Sequence, residues 1–148
     1  RVPIVEITQP GVRRRQPRLR MYSGIVPDDQ RAHSLGMPGT SAGRTVLDLA
    51  LQLRPPQAIA ILDVGLRRLI SEANRGVDVR QATQSTVARA SATAHLAQIL
   101  GQISGRRGVV GLSRLLPFAE PASESHLESL SRWQMHRGNV PRPAVECQ

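Results

Sequence analysis

Gly36-Met37-Pro38-Gly39-Thr40-Ser41-Ala42-Gly43-Arg44-Thr45-Val46-Leu47-Asp48-Leu49-Ala50 divides the chain into two kinds of sequence. Glycine and proline crowd its opening, where the backbone must turn. Thr40 and Ser41 follow, and a hydroxyl at either position accepts a hydrogen bond from a free amide of a first helical turn. Val46, Leu47, Leu49, Ala50 and Leu53 then fall on one helical stripe. A helix therefore starts near Thr40 or Ser41. The residues before it read as short extended pieces, and those after it as helices. The class is α+β, with an N-terminal antiparallel β-hairpin or small sheet followed by a bundle of about five helices. Arg44 and Asp48, one turn apart, read as an intrahelical ion pair whose aspartate is also open to a neighbouring segment.

Upstream, residues 2–8 form a predicted strand with Val2, Ile4 and Ile7 around Glu6. Gln9-Pro10-Gly11 is a turn, Arg13-Arg14-Arg15-Gln16-Pro17-Arg18 a basic connector, and residues 19–23 a second strand. The two strands are expected to pair antiparallel. Pro27-Asp28-Asp29 reads as a turn or a single helical turn, and residues 33–37 as a short strand returning to the sheet.

Downstream, Pro55-Pro56 closes the first helix and opens a second, because the amide that proline lacks is unpaired in a first turn anyway. The second helix runs to about Ala73, with Ile59, Leu62, Leu66, Leu69 and Ile70 on its apolar side. Asp63 and Arg67 are spaced to pair. Asn74-Arg75-Gly76 is a stop. Residues 81–103 read as one long helix rich in Ser, Thr and Ala. Gly105-Arg106-Arg107-Gly108 is a turn, and residues 109–119 are a helix that Pro121 ends. The last helix starts at Ser123 or Ser125. Ser125-His126-Leu127-Glu128 is a capping box, in which the hydroxyl caps the third amide and the glutamate reaches back. Gly138-Asn139 ends that helix, and residues 143–148 resemble the opening of a strand.

The 148 residues carry a formal charge of +9, and all 20 basic residues are arginine. Positive charge lowers the free energy of approach to phosphate backbones. The competing reading is a coding-biased surface that arginine keeps soluble. Tyr22, Phe118 and Trp133 are the only aromatics, so the core must be aliphatic. No apolar run approaches bilayer length. Cys147 is the single cysteine and forms no internal disulfide. No Cys/His spacing suggests zinc, and a cytoplasmic setting is expected. The chain opens on Arg1 without a secretion signal, so a natural start upstream is expected.

Arg13, Arg14, Arg15, Arg18 and Arg20 place five arginines within eight residues. Guanidinium groups grip phosphates in a bidentate manner, so this cluster is the first nucleic-acid candidate. Arg106 and Arg107 are the second. Cations at a helix start oppose the helix dipole and gain nothing there unless they meet an anion. His33, His95, His126 and His136 are scattered without a triad spacing. Residues 105–111 lack the lysine and serine of a phosphate loop.

The opening stretch resembles the "G-x-P-x-T-x-x-x-R-T-x-x-D-L-A" element of bacterial proteins related to abortive-infection (type IV) antitoxins. In many of these a restriction-endonuclease-like domain, related to very-short-patch-repair nucleases, follows. Gly105-Arg106-Arg107-Gly108-Val109 is similar to their "G-R-R-G-V" turn. Glu124-Ser125-His126-Leu127-Glu128-Ser129 is similar to their "E-S-P-x-E-S", with His126 in place of proline. Pro141-x-Pro143-x-Val145-x-x-Gln148 resembles the segment that leads into the first nuclease strand. Gly43, where alanine is usual, and the Ser/Thr/Ala-rich residues 81–97 depart from the pattern.

The resemblance implies a basic β-rich segment over 1–40 and a helical antitoxin-like module over 41–120. Residues 121–148 would be the first helix and strand start of a truncated nuclease-like domain. It implies structural roles for Arg44, Asp48 and Ser125, and makes Glu128 a support residue for a metal site. The carboxylates that would hold Mg²⁺ lie beyond Gln148 in that pattern, so no cofactor is expected here unless a full nuclease domain follows. The expected function is that of a DNA-associated, non-catalytic module of a toxin–antitoxin or phage-defence protein. DNA and a toxin are its expected partners, and no membrane is. The alternatives are the N-terminal part of a Mg-dependent endonuclease and a helical protein-interaction scaffold.

Overall fold

A computed structural model describes residues 5–9, 11, 14–16, 19–34 and 36–140. The chain forms two compact units, Arg1–Ser41 and Ala42–Gln148. The class is α+β, with short strands in the first unit and helices in the second.

In the first unit, β1 (Val5–Gln9), β2 (Arg14–Gln16) and β3 (Leu19–Ser23) form a sheet in the order β1-β3-β2. The expected antiparallel pairing of the first and last of these is corrected: β1 runs parallel to β3, in register from Val5 opposite Leu19 to Gln9 opposite Ser23. The reason lies in the arginine connector, which supplies a strand of its own. β2 pairs antiparallel with β3. β3 is then left pointing the same way as β1. Register sets Glu6, Arg20 and Arg15 in one row across the sheet.

A single 3-10 turn (Asp28–Gln30) follows, where Pro27-Asp28-Asp29 was expected to turn. Residues 33–37 are not one strand. Gly36, with φ 76°, turns the chain between β4 (Arg31–Ser34) and β5 (Met37–Thr40), which pair antiparallel. The Ser41 amide donates to the Gln30 carbonyl at 2.8 Å and extends that pairing.

The second unit contains α1 (Ala42–Ala50), α2 (Pro55–Ala73), α3 (Val79–Gln84), α4 (Thr86–Gln102), α5 (Val109–Leu115) and α6 (His126–Arg137). α2 lies at the centre and packs against every other helix of the unit. Its expected stripe is the core: Leu62, Leu66 and Ile70 are buried with Leu47, Leu96, Ile99, Leu100 and Leu112. α1 rotates relative to expectation. Leu49 and Leu53 stay 42% exposed, whereas Gly43, Arg44, Leu47 and Ala50 face inward.

Close approach of α1 and α2 explains a glycine in mid-helix. A Cβ on Gly65 would come within 2.5 Å of both methyl groups of Val46. A β-branched side chain has little rotamer freedom with which to yield. Gly65→Ala is therefore expected to destabilise the protein by about 1–2 kcal/mol, although alanine favours helix by about 1 kcal/mol, because overpacking costs more. Val46→Ala in the same background should restore most of the loss in urea denaturation. An unrecovered double mutant would show that the crossing is not what excludes the methyl group.

The long helix expected over 81–103 is two helices. Asp78 caps α3, with Oδ1 accepting from the amides of Arg80 at 2.9 Å and Gln81 at 3.2 Å. Ser85 leaves the helical conformation with ψ 115°, ends α3, and caps α4 by accepting from the Ala88 amide at 3.3 Å. A serine whose hydroxyl replaces a backbone partner makes such a break cheap. The helix expected over 109–119 becomes α5 and a 3-10 turn (Leu116–Phe118). Pro117 has no amide to continue the α-helical ladder.

Candidate functional site

Arg44, on the first turn of α1, is 3% exposed. Its Nε donates to Asp48 Oδ2 at 2.9 Å. The other oxygen, Oδ1, accepts from Arg106 Nη1 in the turn before α5. One carboxylate thus holds two guanidiniums and ties α1 to that turn, and the triad keeps a net positive charge. Gly108, with φ 92°, brings the same turn against the end of α1: a Cβ there would stand 3.9 Å from the Leu51 carbonyl oxygen. Only a residue tolerant of positive φ makes that bend without strain.

Asp63 gathers a second cluster. It is 2% exposed on α2. Its Oδ1 accepts from the Glu120 amide at 2.6 Å, and its Oδ2 from Ser129 Oγ at 2.5 Å and Arg132 Nη2 at 2.7 Å. Arg132 Nη1 also donates to the Ser123 hydroxyl. The expected Asp63–Arg67 pairing is corrected: Arg67 Nη1 donates to the Ser123 carbonyl at 3.4 Å. Asp63 sits beside Leu62 on the apolar side of α2, where a carboxylate needs buried partners. Those partners come from segments about 60 residues away, so spacing within α2 does not reveal them. Nearby, Glu120 pairs with Arg89 at 2.7 Å, and Glu124 with Arg80 at 2.9 Å. This cluster holds α6 and its leading loop to the helices, within the same compact unit.

Ser125 and Glu128 form the start of α6. The Glu128 amide donates to Ser125 Oγ at 3.2 Å. The Glu128 carboxylate accepts from the Glu124 amide at 3.0 Å and from the Ser125 hydroxyl at 2.8 Å. These bonds, the Glu124 amide first, hold its pKa below the usual 4.5. A depressed carboxylate stabilises the fold fully above its unfolded pKa and loses that contribution as pH falls through the folded value. Glu128→Gln should therefore flatten part of the fall in stability below about pH 4.5, read as urea midpoints from pH 7 to pH 3. Identical profiles for the two proteins would show that the cap does not titrate with folding.

Of the arginines singled out by sequence, Arg13 and Arg18 lie outside the described residues. Arg14 and Arg15 belong to β2, and Arg20 to β3. Arg106 is engaged by Asp48, and Arg107 is exposed. The sequence reading overlooked Arg54, Arg75, Arg114 and Arg137, which are exposed and, like Arg107, pair with no acid among the described residues. Their signal is collective. Five acids of the helical unit (Asp48, Asp63, Glu72, Glu120 and Glu124) are each taken by an arginine. Asp78 and Glu128 cap helices.

A groove of about 620 Å³ lies between α2 and α4, lined by Leu69, Ile70, Ala73, Val87, Ala92 and His95 among others. No group of three or more His, Cys, Asp or Glu side chains among the described residues could hold a metal ion. No helix among them is long and apolar enough to cross a membrane.

The chain is 29% identical over 143 residues to two Mycobacterium tuberculosis proteins, each called uncharacterized protein: MT2308 of strain CDC 1551 / Oshkosh and Rv2248 of strain ATCC 25618 / H37Rv. The match covers 96% of this chain and 45% of each relative, so the chain spans about half of their length. No family model matches the chain, and no solved structure does.

Proposed function

We propose that the chain is a DNA-associating module that contacts the phosphate backbone through arginine and carries out no catalysis within these residues. The observation that supports this reading is the disposition of charge. The acids of the helical unit among the described residues are spent on internal ion pairs and caps, whereas Arg54, Arg75, Arg107, Arg114 and Arg137 face solvent without an acid partner among those residues. Residues 1–41 add seven arginines against three acids. Such a surface attracts a polyanion and gains from the counterions that DNA releases. The resemblance to abortive-infection antitoxins supports reading the module as part of a toxin–antitoxin or phage-defence system in the cytoplasm, with a toxin as a second partner.

A second reading draws on the greater length of the relatives. In it, this chain is the N-terminal part of a Mg-dependent restriction-like endonuclease whose metal-binding carboxylates lie outside these residues. Glu128 would then support a metal through the lone pairs left beside the hydrogen bonds that its two oxygens accept.

The test is binding to a labelled DNA duplex from 50 to 200 mM salt, with Arg13→Ala/Arg14→Ala/Arg15→Ala as comparison. Binding should weaken with salt, and the triple variant should lower the logarithmic salt slope by about three. Absence of binding at low salt would overturn the proposal and leave the helical protein-interaction scaffold.

A further inference from the structure

We infer that the helical unit has a phosphate-contacting edge of its own, made by Arg54, Arg106 and Arg107, in which Asp48 positions Arg106. The inference rests on the DNA-associating reading and names where the helical unit meets the backbone.

Three observations carry it. The turn that holds Arg106 and Arg107 is held to α1 by the Asp48–Arg106 pair, and Gly108 of the same turn lies beside Leu51, whose Cδ2 a Cβ there would meet at 3.4 Å. Arg54 stands three residues beyond Leu51, immediately before α2, and so within about 11 Å of it along the chain. The charge there is unbalanced. Asp48 answers both Arg44 and Arg106, while Arg54 and Arg107 are exposed and meet no acid among the described residues.

Arg106 is 38% exposed while bound to Asp48. A guanidinium has five N–H donors, so one edge remains for a phosphate oxygen while the carboxylate fixes the other. That fixation removes much of the rotamer entropy that a free arginine loses on binding. Asp48 is therefore a positioning residue, and Arg54, Arg106 and Arg107 are the contacts. The ligand is the backbone of duplex DNA.

The experiment measures salt slopes for DNA binding by the full chain and by Arg54→Ala, Arg107→Ala, the double variant and Arg68→Ala. Arg68 lies on α2, paired with Glu72, roughly 20 Å from Arg54 at 1.5 Å per residue, and its replacement removes the same charge. All three positions are exposed, and a surface ion pair is worth little, so melting temperatures should stay close to the parent value. Each edge variant should lower the slope by about one, and the double variant should make the loss of affinity between 50 and 200 mM salt about tenfold smaller. Arg107→Lys should keep the slope, because the charge remains. Arg68→Ala should leave it unchanged.

An equal effect of Arg68→Ala would overturn the inference in favour of net charge alone. Unchanged slopes in the edge variants, with loss of binding in the Arg13/Arg14/Arg15 variant, would overturn the edge and spare the functional reading. No salt-dependent binding by the parent chain would overturn both.

Discussion

Replacing Asp63 by alanine is expected to remove about 3–5 kcal/mol of stability, the cost of breaking a buried ion pair from one side. The carboxylate is 2% exposed, and its arginine partner, Arg132, is 18% exposed. Without Asp63 the guanidinium loses its counter-charge. The Ser129 hydroxyl and the Glu120 amide lose acceptors at 2.5 and 2.6 Å. A domain of this size holds about 5–15 kcal/mol in all, so one substitution removes a large share. Urea denaturation checks the value.

The same variant reports which part of the fold loosens. Trp133 is the only tryptophan and lies on α6, next to His136. If α6 separates first, its fluorescence will change at a lower urea concentration than the far-ultraviolet dichroism, breaking two-state behaviour. Asp63→Ala/Arg132→Met should recover part of the loss, since it also removes the stranded charge. A midpoint shift worth less than about 1 kcal/mol in the single variant would mean that water reaches the cluster.

Asp48→Ala is expected to cost about 3 kcal/mol. The burden falls on Arg44, which is 3% exposed and loses its carboxylate, more than on Arg106, which reaches solvent. Arg44→Met/Asp48→Ala should therefore be considerably more stable than Asp48→Ala, because an unbranched apolar side chain fills the space of the arginine stem without its charge. Thermal and urea midpoints of the three proteins decide the matter. A double variant as unstable as the single one would place the loss at the Arg106 turn instead.

Local signals carried much of the helical architecture. Pro55-Pro56 and Asn74 bound α2 where the chain chemistry places them, and Leu62, Leu66 and Ile70 are its buried side. The Ser125-x-x-Glu128 box starts α6. These readings hold because caps and stripes depend on residues within one or two turns of each other. The break at Ser85 was also written in the sequence, but serine occurs inside helices too, and only its extended ψ tells the two cases apart.

The candidate site was half legible. Arg44 and Asp48 stand one turn apart in the sequence, and their bond follows from that spacing. The Asp48–Arg106 bond spans 58 residues, and the Asp63–Arg132 bond 69. No periodicity connects such positions. Arg106 looked unpaired in the chain because its anion sits on another helix.

The amino-acid order alone established an α+β chain with a strongly basic balance, an aliphatic core and helix ends defined by proline, serine and glycine. Those properties reside in single residues and in short-range hydrogen bonds. Which strands run parallel, which side of α1 turns inward, and which arginines meet an acid came from packing. Each of these depends on where a distant carboxylate or methyl group finally lies. A buried charge has to find its counterpart wherever the chain brings one.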